Sequence, residues 1–143
     1  MIEASTIEEL KHKLKGEKKP FIVKAKDDVF NLQVLKQRLC NVLVSPEVHK
    51  RKENLKNLDS GLNHVLATLA RKNSIAIGID IENISKLEKK EKAVRLSRLR
   101  QNLNICRKEK TASAVRGGKE TFYLLISLGS STSQAKEALA QSF

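Results

Sequence analysis

Between Ser60 and Asp80 the hydrophobic pattern of the chain changes period. Leu62, Val65, Leu66 and Leu69 recur at i, i+3, i+4 and i+7, which lines one face of a helix, and Ser60 ahead of them is a candidate N-cap. From Ser74 onward the apolar positions alternate instead. Ile75, Ile77 and Ile79 predict a strand, and Ala76 and Gly78 between them leave room for close packing on the other side. Asn73 separates the two patterns and suits a helix end. A helix running straight into such a strand is half of an α/β unit.

The flanking sequence continues the alternation. Met1 to Ser5 predicts a short strand, and Thr6 to Lys15 a helix with Glu8 and Glu9 in its first turn and Ile7, Leu10 and Leu14 as its apolar stripe. After a turn over 16–20, Phe21, Val23 and Ala25 mark one face of a strand. Asp27 or Asp28 then caps a helix to about Leu39, with Val29, Leu32, Leu35 and Leu39 inward. Val42 to Val44, ended by Ser45 and Pro46, reads as a strand buried on both faces. Val48 to Asp59 is polar and aperiodic, with Lys50, Arg51, Lys52 and Lys56, and predicts a loop with one helical turn at most.

Ile81 to Glu88 is a second connection, followed by a long helix from about Lys89 to Lys108. Lys92, Leu96, Leu99, Leu103 and Cys106 share one of its faces, and the opposite face is basic. Thr111 to Val115 has weak strand character, Arg116-Gly117-Gly118 is a turn, and Phe122 to Leu128 reads equally as strand or helix. Ser131 to Ser142 predicts a short capped helix with Ala135, Ala138 and Leu139 apolar. Alternating elements over 143 residues indicate one α/β domain spanning residues 1–143.

Charge adds a partner class. The formal net charge is +12, and residues 86–119 hold 12 Lys or Arg against three Glu. Such an excess suits a polyanion. Arg95, Arg98 and Arg100 share the long helix and Arg116 follows closely, and arginine forks fit phosphate oxygens. With no Trp, one Tyr and four Phe, the chain has little on which to stack splayed single-stranded bases. Recognition of folded RNA or duplex through shape and backbone is the better fit.

Other chemistry is thinly represented. His12, His49 and His64 fall in separate segments without metal-ligand spacing, and neither a phosphate loop nor a G-x-S-x-G elbow occurs. Cys40 and Cys106 fall on predicted helices with no C-x-x-C partner, which indicates packing thiols. No apolar run approaches the roughly 18 residues of a membrane span, and the N-terminus lacks a signal-peptide layout, so the expected setting is the cytoplasm, away from membranes.

Three blocks carry a resemblance: SGLNHVLATLARKNSIAIGI, RLRQNLNICRK, and VRGGKE followed by GSSTSQAKEAL. In order and spacing they resemble the archaeal ribonuclease P protein component 3 family, the counterpart of the eukaryotic thirty-kilodalton subunit. The resemblance covers nearly the whole chain, which looks like the later two-thirds or so of a usual member. It implies a (β/α) TIM-like barrel, partial or distorted, related to the metal-dependent phosphoesterase barrels but without their metal centre. It also implies a non-catalytic RNA-binding subunit that assists an RNA enzyme in removing the 5′ leader of precursor tRNA. Chemistry would belong to the RNA subunit and its magnesium ions, leaving this chain without catalytic residues, metal ligands or a cofactor. Its partners would be the ribonuclease P RNA and protein component 2, as a heterotetramer, with precursor tRNA as the substrate of the whole enzyme.

Position by position, the family's helix histidine corresponds to His64, the basic end of that helix to Arg71 and Lys72, the arginine of its late turn to Arg116, and the lysine after Gln-Ala to Lys136. With Arg95 and Arg98 from the charge pattern, these are the expected RNA contacts. Gly118 and Glu120 stand where Pro and Asp are common, and Ser45 where a His or Arg often precedes the proline. A closed eight-stranded barrel takes about 250 residues, so a chain of 143 with five plausible strands is expected to lack the first strands and leave two sheet edges open. Two rival readings stand beside this one. A stand-alone phosphoesterase of the related barrels would need a His and Asp cluster at strand ends, and a general basic nucleic-acid module would treat DNA and RNA alike.

Overall fold

In a computed structural model describing residues 1–51 and 58–143, helices and strands alternate much as the periodicity indicates. The order is α1 (Ile7–Leu14), β1 (Ile22–Lys24), α2 (Asp28–Lys36), β2 (Val42–Val44), α3 (His64–Lys72), β3 (Ala76–Asp80), α4 (Ile81–Ser85), α5 (Lys89–Glu109), β4 (Ser113–Arg116), α6 (Thr121–Ser127) and α7 (Thr132–Ala140). The strands form one four-stranded sheet in the order β1-β2-β3-β4, and every pair is parallel. Val42 to Val44, Lys50 and Arg51 lie where they are described, whereas Lys52 and Lys56, with the helical turn expected near them, fall outside the described residues.

Register fixes which side chains share a face. Val42 aligns with Ala76, Val44 with Gly78, and Gly78 with Ala114, so these lie together, while Val23, Leu43, Ile77, Ile79 and Val115 point the other way. Val44, Ala76 and Ala114 of the first set are buried too, but only the second set enters the two clusters packed against helices. One cluster joins Val23, Leu43 and Ile77 to Leu10, Val34 and Leu66, and a second joins Ile79 and Val115 to Leu99, Leu125 and Ala135. Crossovers of one hand stepping always to the next strand place helices on one side of a sheet, and the clusters are the result. Strand β3 and helix α5 belong to both clusters, through Ile77 and Ile79 and through Ile105 and Leu103. On the opposite face Gly78 is required: a Cβ there would lie 2.8 Å from Val42 Cγ1 and 2.9 Å from Val44 Cγ2.

The sheet borders differ from expectation. In place of a strand over residues 1–5 there is a single bridge, in which the Ile2 amide donates to the Ile22 carbonyl and Ile2 accepts from Lys24. At the other border the Phe143 amide donates to the Val115 carbonyl, so the β4 edge is not left wholly open. The segment 122–128, ambiguous by composition, lies within and just past helix α6, and the connection after Asp80 contains the short helix α4 that periodicity did not reveal. Cys40 lies in a connector rather than on a helix. Both thiols are free and buried, and burial pushes each up to about 12, which keeps them protonated.

Helix phase is set by caps and by the largest apolar side chain. Asp27 accepts from the Phe30 amide, and α2 then buries Phe30 and Val34 and leaves Val29 72% exposed, contrary to the stripe through Val29. Phe30 removes more apolar area from water than Val29 could. Similarly, α3 is capped by Asn63, which accepts from Leu66, and not by Ser60. Leu66, Ala67 and Ala70 are buried, Leu62 packs from the loop ahead of the helix, and Val65 is 69% exposed.

Candidate nucleic-acid interface

Helix α5 carries much of the positive charge, and its two arginine sets face different ways. Its apolar stripe, Leu99, Leu103 and Cys106, is buried as the spacing predicts. Arg98 and Asn102, however, are buried beside it at 6% and 2% exposure. They hold the loop that follows β2. Arg98 Nη1 donates to the carbonyls of Glu47 (2.9 Å) and His49 (3.2 Å), and Asn102 Nδ2 donates to the Ser60 carbonyl (3.2 Å). Arg95 Nη2 lies 3.3 Å from Glu47 Oε1, with the carboxylate 1% exposed. Burial pushes the Glu47 carboxyl above its ordinary range, and Arg95 offsets only part of that. The same loop is pinned where Gly61, at φ +77°, meets Pro46 so closely that a Cβ would collide with the Pro46 carbonyl.

Arg95 and Arg98 therefore do not belong to an outward basic face of α5. The periodicity concealed this because a polar stripe at i, i+3 and i+7 has the same spacing whether it meets water or a loop carbonyl.

At the carboxyl ends of the strands a cavity of about 350 Å³ is lined by Glu3, Lys24, Asp80, Asn83, Arg95 and Arg116. Parallel α/β sheets usually place ligands at that end. Its cations have carboxylate neighbours: Lys24 Nζ lies 2.9 Å from Glu3 Oε1, and Arg116 Nε 3.4 Å from Glu82 Oε2. Arg116 ends β4, where a turn was expected, and is 43% exposed, so its guanidinium keeps access to solvent. Asp80 accepts from the Asn83 amide and caps α4. Among the described residues no group of three or more His, Cys, Asp or Glu side chains could hold a metal ion.

The remaining expected contacts lie elsewhere. His64 opens α3 with Nδ1 2.7 Å from Glu109 Oε1, and Thr68 donates to the other carboxylate oxygen at 3.0 Å. These two bonds, the histidine's first, hold the Glu109 carboxyl below its usual range. Arg71 and Lys72 are exposed in the last turn of α3, where cations also favour the helix dipole. Lys136 is exposed on α7. The structure thus brings Arg95 and Arg116 to one cavity and keeps His64, Arg71 and Lys72 on one helix. Among the described residues no helix is long and apolar enough to cross a membrane.

No family model matches the chain. It is similar to the ribonuclease P protein component 3 of Methanococcus vannielii, at 25% identity over 117 residues, covering 82% of this chain and 48% of the relative. The protein of the same name from Methanococcus maripaludis is 26% identical over 102 residues, covering 71% and 41%. The chain thus spans about half the length, or less, of the curated relatives it matches. A chain in the cryo-EM structure of archaeal ribonuclease P with mature tRNA superposes with a TM-score of 0.77 at 20% identity, covering 97% of this chain and 62% of that one. These relatives carry the name of the family that the three sequence blocks resemble, and the α/β fold is shared with the solved chain.

Proposed function

We propose that this chain is a non-catalytic, RNA-binding protein subunit of ribonuclease P, assisting the RNA subunit in removing the 5′ leader of precursor tRNA. The observation that carries this reading is the match to relatives of that name over most of the chain, supported by a superposition that takes in nearly all of it. In this reading residues 1–143 form one domain, an incomplete (β/α) barrel whose sheet is an arc of strands with its helices on the outer side. Magnesium sits on the RNA, and this chain holds no cofactor. Its partners are the ribonuclease P RNA and protein component 2 in a heterotetramer, acting on precursor tRNA in the cytoplasm.

The RNA contacts are His64, Arg71, Lys72, Arg116 and Lys136, all of which reach solvent. Arg95 and Arg98 instead hold the chain's own loop. Reconstitution of the ribonuclease P RNA with its other protein subunits, with and without this chain, tests the reading. Faster leader removal or a lower magnesium requirement is expected with the chain present. No change in either would refute it, and metal-dependent phosphoester cleavage by the chain alone would replace it with an independent phosphoesterase.

A further inference from the structure

A second open groove lies apart from the strand-end cavity and from the five contacts assigned above. It runs along the outer side of α5, encloses about 770 Å³, and faces the α6–α7 turn. Ser97, Arg100, Gln101, Asn104 and Arg107 line it from α5, with Ser127, Leu128 and Gly129 opposite and Leu58 at its border. Ser97, Arg100, Asn104 and Arg107 follow one another at +3, +4 and +3, a single helical stripe about 15 Å long at 1.5 Å per residue. Among the described residues no carboxylate lines the groove. Arg100 is exposed and, among the described residues, makes no ion pair or hydrogen bond, so its guanidinium can take a ligand. Arg107 is oriented by its bonds to the Gly129 carbonyl (3.1 Å) and Asn104 Oδ1 (3.2 Å), which leave further N–H donors unused.

We infer that this groove binds the phosphodiester backbone of folded RNA, with Arg100 and Arg107 as its phosphate forks and the intervening amide and hydroxyl side chains as neutral donors. The inference rests on the proposed RNA-binding role and places a second RNA surface on α5. An open trough with two arginines along it and, among the described residues, no opposing acid suits an extended polyanion.

Fluorescence anisotropy across a salt series would test it with three probes: a ribonuclease P RNA transcript, an unrelated folded RNA of equal length, and poly-glutamate. Arg100→Gln should weaken binding of the ribonuclease P RNA roughly tenfold. Combined with Arg107→Gln it should flatten the slope of log affinity against log salt by about 1.4 to 1.8. The melting temperature of Arg100→Gln should stay that of the parent, separating lost contact from lost fold. Unchanged RNA affinity in the double variant, with the parent binding well, would overturn the groove and leave the ribonuclease P reading intact. Loss of binding to both RNAs without preference between them in the parent would support the groove while weakening that reading. A double variant that loses poly-glutamate but keeps RNA would mark an acidic-protein site and overturn the inference, and a parent that binds neither RNA would overturn both.

Discussion

The strand-end cavity and the outer groove of α5 draw cations from the same helix, yet the first mixes them with carboxylates and the second does not. At the strand ends Lys24, Arg95 and Arg116 each lie beside a carboxylate, of Glu3, Glu47 and Glu82 respectively. In the groove, Arg100 and Arg107 meet hydroxyls, amides and a carbonyl. Arg116 still reaches solvent at the strand ends, but only in the groove does no described carboxylate compete for the cations. A count of basic residues along the chain therefore locates a field but not a contact surface, because each acid within reach competes with a ligand for a cation.

The sharpest way to break this comparison is to remove one member of the buried set. Arg98→Ala should lower stability by about 2 to 6 kcal/mol, since two loop carbonyls lose their buried donor at about 1 to 3 kcal/mol each. Urea titration would measure it, and a variant as stable as the parent would mean that the loop does not depend on α5. Leu66→Ala should follow at about 2 to 5 kcal/mol, as Leu66 is 4% exposed in the first core cluster.

Arg116→Ala should change stability by no more than about 0.5 kcal/mol, as surface substitutions generally do, while weakening binding of the ribonuclease P RNA. Its side chain is 43% exposed and its ion pair with Glu82 reaches only 3.4 Å. If Arg116→Ala melts as early as Leu66→Ala, the strand-end arginine is structural. Lys136→Ala should behave in the same way, with the smaller effect on binding expected of a single ammonium.

The smallest effect separates two carboxylates by pH. Glu47 is raised by burial above its ordinary value of 4.5, so the unfolded chain releases that proton first. Its contribution is fully present below 4.5 and is lost as pH rises toward the folded value. Glu109 is lowered by His64 and Thr68, so its contribution is present above 4.5 and lost as pH falls through the folded value. Melting temperatures of Glu47→Gln and Glu109→Gln on either side of 4.5 should therefore change with pH in opposite senses relative to the parent. Parallel changes would contradict the environments assigned to the two groups.

Much of the fold was legible because its strands carry unambiguous signals. Val42 to Val44 and the alternating isoleucines of β3 appear where the pattern puts them, and Asn73 ends α3 as expected. Helix phase was less legible. Two apolar stripes compete in α2, through Val29 or through Phe30, and only packing chooses between them. The candidate site was harder still. Arg95, Arg98 and Arg100 are equivalent by type and nearly adjacent in sequence, yet the first two meet the loop after β2 and the third faces water. That division depends on where a loop dozens of residues earlier returns to the helix, which no local period encodes. Arg107 belonged to the basic run but to none of the expected contacts, and asking which cations lack a carboxylate one turn away selects it with Arg100 but selects the buried Arg98 as well.

The order of the sheet has a consequence for how the chain assembles during synthesis. Strand order in space is strand order in sequence, from β1 to β4. Each new strand leaving the ribosome can pair at once with the edge made just before it, and no early strand waits for a late one to be inserted between its neighbours. Parallel sheets are usually slow to form because their pairings join distant segments. Here each pairing spans a single crossover, so the sheet can grow by one edge at a time and keep a short exposed border throughout translation.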